Sequence, residues 1–81
     1  LLLIAPLVII CLIAGSFAEK SNATRKVKQL LKKGFPAKIV NTNKWGLEQV
    51  AFGSYNTRSE AVENLKQIRE TQAKDAWLLI K

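Results

Sequence analysis

An α+β fold, in which two β-α-β halves share one four-stranded antiparallel sheet with both helices on one face, is predicted for this 81-residue chain by three observations. The chain repeats itself: residues 12–31, "LIAGSFAEKSNATRKVKQLL", lie without a gap on residues 50–69, "VAFGSYNTRSEAVENLKQIR". The shift of 38 positions puts Gly15 on Gly53, Ser16 on Ser54, Phe17 on Tyr55, Ser21 on Ser59, Ala23 on Ala61 and Lys28 on Lys66. Within each copy an apolar run suited to a strand gives way to an apolar stripe at helical spacing. After each copy stands one more extended segment, "FPAKIV" (35–40) and "AWLLI" (76–80). The resulting order, strand-helix-strand-turn-strand-helix-strand, is the ferredoxin-like or RNP-like βαββαβ arrangement.

The first strand is expected over Ile9 to Ala14, at the end of "LLLIAPLVIICLIA", 14 apolar residues without a break. Residues 1–8 are expected to be an apolar lead-in: the end of a membrane anchor, an export-signal remnant, or a segment covered by a partner. A full membrane span takes about 20 residues, whereas the apolar part of an export signal takes about 7 to 15. The chain starts with Leu1 rather than Met, which reads as a fragment or a processed product. In the first helix Ser21 is the expected N-cap, Ala23, Val27, Leu30 and Leu31 the buried stripe, and Gly34 the stop. "NTNKWG" (41–46) reads as a turn. The third strand is expected over Leu47 to Phe52, ended by Gly53 and Ser54. Thr57 and Glu60 have capping-box spacing at the start of the second helix, whose stripe is Ala61, Leu65 and Ile68.

Period-2 alternation then sorts the strand residues. With Leu12, Ala14, Ala37, Ile39, Val50 and Phe52 toward the helices, Cys11, Ile13, Lys38, Val40, Gln49 and Ala51 line the other, open face. The segment "AWLLI" is apolar on both sides, so alternation leaves the direction of Trp77 open. Trp45 falls in the turn at the sheet's edge.

Composition narrows function. A chain of this length buries only about 60–65% of its unfolded surface, enough for one simple core. The net charge of +7 is uneven: residues 1–18 carry none, residues 19–40 hold seven basic residues against Glu19, and residues 41–81 hold six basic against five acidic. Polyanions or acidic surfaces are the partners such a field attracts. One cysteine, Cys11, cannot close an internal disulfide, and the absence of histidine removes a Cys/His zinc site and a His-based triad. No paired carboxylates or nucleophile–base pair stand out, so the reading is non-enzymatic, with no cofactor or metal.

Taken together, an apolar strand ending "AGSF", a helix opening with "NA", then "KGFPAKIV", "VAFGSYNTRSEA" and a late "AWLL" closely resemble the SPOR domain of bacterial cell-envelope and cell-division proteins, over roughly Ile10 to Lys81. The resemblance places the domain at residues 9–81. It implies non-catalytic binding of peptidoglycan, specifically denuded glycan strands whose stem peptides amidases have removed. It also implies a parent protein brought to the septum, in the periplasm or cell envelope, and held at the membrane if residues 1–8 are an anchor. On that reading the glycan lies on the open sheet face, against Ile13, Ser16, Gln49 and Ala51, with Trp45 and Trp77 as stacking surfaces. An aromatic ring offers an apolar face to the C–H side of a sugar, and Gln or Ser can hydrogen-bond its oxygens. The chain departs from the usual pattern in having Ile10 and Cys11 where the first strand more often has an aromatic and a polar residue. It departs again at Glu48 and Gln49, where an aromatic and a basic residue are more usual.

The same residues bear on other partners. The cations of the first helix, Arg25, Lys26, Lys28, Lys32 and Lys33, read as its solvated face rather than a phosphate or lipid patch. Cys11, between Ile10 and Leu12, reads as an inert strand residue, and the triplet at Asn22 as a chance match to a glycosylation signal. The alternative function is docking of an apolar open face, formed by Ile13, Val40 and Ala51, on another envelope protein. Nucleic acid is not expected, because "LEQVAFG" puts neither an aromatic nor a basic residue on the open face where an RNA-recognition strand needs them.

Overall fold

The computed structural model describes residues 8–81; of the expected lead-in at residues 1–8, only Val8 falls among them, and the rest lies outside the described residues. The elements are β1 (Ile10–Phe17), α1 (Lys20–Lys32), β2 (Lys38–Thr42), β3 (Glu48–Tyr55), α2 (Arg58–Thr71) and β4 (Trp77–Ile80). All pairings are antiparallel and the sheet order is β2-β3-β1-β4. The expected βαββαβ fold is therefore the observed one. Among the described residues no helix is long and apolar enough to cross a membrane.

β1 is central, pairing with both β3 and β4, which explains why its sequence is apolar on both sides rather than alternating. Ile10 and Leu12 face the helices and Cys11 and Ile13 the opposite side, and all four are buried. The main core joins Ile10, Leu12, Val50 and Phe52 of the sheet to Ala23 and Leu30 of α1 and Ala61, Leu65 and Ile68 of α2. Phe35 meets Phe52 edge to face, with ring centroids 5.1 Å apart. Apart from Ile10 and Phe35, these are residues that alternation and helical spacing assign to the core.

Several boundaries differ from expectation. Both Gly-Ser-aromatic segments continue their strands instead of ending them, so β1 runs to Phe17 and β3 to Tyr55. Gly15 and Gly53 have no positive φ; each is small because something lies close. A Cβ on Gly53 would sit 3.3 Å from Pro36 Cγ, and one on Gly15 3.2 Å from the Phe17 ring. α1 starts at Lys20 with Glu19 as N-cap, two residues before the expected Ser21, and without a side-chain cap bond. Leu31 is exposed, because it lies one position, about 100°, round from the buried Leu30. The stop at Gly34 is as expected. With φ +95°, Gly34 donates to the Leu31 carbonyl and Phe35 to that of Leu30, the paired bonds of a Schellman motif. Thr57 caps α2, accepting from the Glu60 amide at 3.3 Å and donating to the Glu60 carboxylate at 3.0 Å.

Candidate functional site

The sheet face away from the helices is built in rows. Lys38 pairs with Ala51, Ala51 with Ile13, and Ile13 with Trp77, so one row crosses all four strands. Paired residues in an antiparallel ladder share a face. The pairing with Ile13 thus settles the direction of Trp77: its indole lies on this face at the β4 edge, 39% exposed. Toward the β2–β3 hairpin the next row is Asn41, Gln49 and Ser16. In the other direction lie Ser54, Cys11 and Leu79.

The expected face is not an open apolar surface. Cys11, Ile13, Val40 and Ala51, with Leu79 against them, form a second core in which Ile13 and Ala51 are 0% exposed. Ladder irregularities at Ile13 in β1 and at Val40 in β2 bend the sheet. The Lys81 ammonium, just beyond β4, donates to the Val40 carbonyl of β2, so a side chain from one edge of the sheet reaches the other edge across this face. Ile13 and Ala51 lie where alternation assigns them, but as a floor beneath the surface. The exposed Ile13–Val40–Ala51 patch that would favour docking on another protein is absent, because these side chains are buried against each other.

Gln49 is 4% exposed, and its Oε1 accepts from Asn41 Nδ2 at 2.8 Å, which leaves its amide nitrogen as the group for a further partner. Beside it Ser16 is exposed. Trp45 stands at the tip of the β2–β3 hairpin, 72% exposed. Asn43 organises that tip: its Oδ1 accepts from the Trp45 and Leu47 amides, both at 3.0 Å, and its carbonyl from Gly46 at 2.9 Å. Gly46, with φ +77°, supplies the left-handed residue that the turn requires. The Lys44 ammonium lies 4.6 Å from the Trp45 ring centroid, so one face of the indole is already engaged by a cation. Of the six expected residues, the structure thus presents Ser16, Trp45 and Trp77 to solvent and holds Ile13, Gln49 and Ala51 beneath.

Sequence reasoning missed Asn41 and Asn43 as the groups that position Gln49 and Trp45. Asn-x-x-Gly in a hairpin was a readable signal for the second; the first depends on the Val40 irregularity, which carries no local signal. It also missed a recess of about 200 Å³ further along the face, lined by Cys11, Lys38, Val40, Ser54 and Lys81 among others.

The groups of this face and its hairpin that reach solvent are two indoles, a hydroxyl and lysines, around a buried apolar floor. A sequence model described as the SPOR domain matches residues 9–79. No curated protein and no solved structure matches the chain.

Proposed function

From the premise that this chain belongs to the SPOR-domain family, a peptidoglycan-binding family of cell-envelope and cell-division proteins, we propose that it binds denuded glycan strands, without catalysis, on the sheet face away from the helices. The observation that carries this reading is the cross-strand row: Trp77, paired with Ile13 on a rigid four-stranded platform, offers an indole face beside a floor packed too tightly to collapse. A sugar ring stacked there meets an apolar surface, while Ser16 and the Gln49 amide nitrogen lie one row away as partners for hydroxyl or acetamido oxygens. Trp45, on its braced hairpin, extends the surface beyond the sheet. Ile13 and Ala51 act as support, setting the height of the platform. Binding there would hold the parent protein at the wall in the periplasm, at septa where denuded strands accumulate.

The test is co-sedimentation of the chain with peptidoglycan sacculi before and after amidase treatment. The expected result is retention on treated sacculi, reduced about tenfold by Trp77→Ala, equivalent to about 1.4 kcal/mol of lost stacking. Trp45→Ala is expected to weaken retention less, since Lys44 already occupies one face of that ring. Absence of retention on either preparation by a folded chain would overturn the reading.

A further inference from the structure

We infer that the recess beside the glycan platform is a carboxylate site, and that its ligand is the acid that amidase action leaves on the glycan; this rests on the reading just given and assigns the charge selectivity of the same face. Lys38 and Lys81 both line the recess, with the Ser54 hydroxyl between strands and Cys11 and Val40 as part of its floor. Among the described residues no Asp or Glu side chain lines it, and the charged side chains that line this recess of about 200 Å³ are the two lysines. A bound anion pairs with cationic groups on both sides of the recess, which a neutral ligand cannot do.

The donors are arranged, not merely nearby. Lys81 is fixed by its bond to the Val40 carbonyl, which leaves two of its three N–H donors. Ser54 Oγ is held 3.3 Å from Cys11 Sγ at the base of the recess. A carboxylate has two oxygens and about four acceptor positions, enough to take both ammonium groups and the hydroxyl. Charge-assisted bonds of this kind are the stronger class.

Position connects this site to the platform. Cys11 and Ile13 are two residues apart on β1, about 7 Å, and Lys38 itself belongs to the row that ends in Trp77. A sugar ring over that row directs a short substituent at its edge into the recess. In peptidoglycan the stem peptide is joined by an amide to the lactyl group of each muramic residue. Hydrolysis of that amide leaves a lactyl carboxylate, one negative charge per disaccharide. The intact strand presents a neutral amide and a bulky chain at the same point. Two lysines around a recess of this size therefore separate cut from uncut strands by charge as well as by bulk.

The experiment is calorimetric titration of the chain with soluble, amidase-denuded glycan fragments, and with the same fragments after their carboxyl groups have been capped as methylamides. Capping is expected to weaken binding by about tenfold, the scale of one charge-assisted hydrogen bond. Lys38→Gln, at an exposed edge position, is expected to lose a similar factor for the uncapped fragments and nothing further for the capped ones. Lys81→Gln is expected to behave alike, with its thermal midpoint recorded because it also releases the Val40 carbonyl. Equal affinity for capped and uncapped fragments, or an equal loss on both in Lys38→Gln, would overturn the carboxylate site while leaving glycan binding in place. No binding of either fragment would remove both readings together.

Discussion

Gly53 shows how much of this molecule is decided at single positions. It stands inside β3 because Pro36 lies across it, so Gly53→Ala forces a methyl against a rigid ring at 3.3 Å and is expected to lower the unfolding free energy read from a denaturant melt by about 1–2 kcal/mol. Gly15, whose neighbour is the pivoting ring of Phe17, should tolerate alanine better. Beside Gly53, Tyr55 has its phenol pushed above its ordinary value of 10.0, first by burial and second by the nearby Glu60 carboxylate. The folded chain thus holds that proton more tightly than the unfolded one. Its contribution to stability is complete below pH 10 and is lost as pH rises through the raised folded value. Denaturant melts of the wild type and Tyr55→Phe across that range are expected to run parallel below pH 10 and separate above it, the wild type falling faster. The identity of these positions was legible as a repeat, Gly-Ser-aromatic twice over. Their role was not, because a glycine kept for a close approach looks the same in sequence as one kept for a turn.

Among the elements, the two helices show where local signals suffice. Thr57 and Glu60 announced the start of α2 and do cap it, so Thr57→Ala is expected to cost about 1 kcal/mol in thermal or chemical melts. α1 has no such side-chain bond at Glu19, which is why Ser21, a better capping residue by type, drew the boundary two positions too late. At its other end Gly34 ends the helix as expected, since only a left-handed residue allows the amides of 34 and 35 to turn back. The same logic divides the strands. β1 was legible as a buried strand from its continuous apolar run, and only its pairing on both sides makes it central, whereas β4, equally apolar, has exposed Trp77 and Ile80 at a sheet edge. Apolar composition marks a strand without fixing its place in the sheet; pairing does that, and pairing is non-local.

For the molecule as a whole, alternation assigned the two faces correctly, and what it could not supply was curvature. The irregularities at Ile13 and Val40 and the Lys81 bond across the face convert an expected open surface into a second small core. A residue such as Ile13 then changes role from ligand contact to support. Ile13→Ala is expected to cost about 2–4 kcal/mol in a denaturant melt, as for other fully buried aliphatic residues, whereas a side chain held only for contact would cost little. Of the candidate site, which residues share the face was therefore legible, but the direction of Trp77 and the recess with its lysines were not, since the first is set by pairing with Ile13 and Lys38 and Lys81 stand 43 positions apart at opposite edges of the sheet.

The bond from the Lys81 amide to the Ile9 carbonyl, 2.8 Å, sets the start of β1 beside the end of β4, at one end of their ladder. Tension applied between residues 9 and 81 would load that ladder from its end, so its hydrogen bonds give way one after another, as in peeling, instead of sharing the load as in shear. β4 would lift first and carry Trp77 away from Ile13 before the rest of the sheet is disturbed. Mechanically, the strand that opens first is the one that carries Trp77.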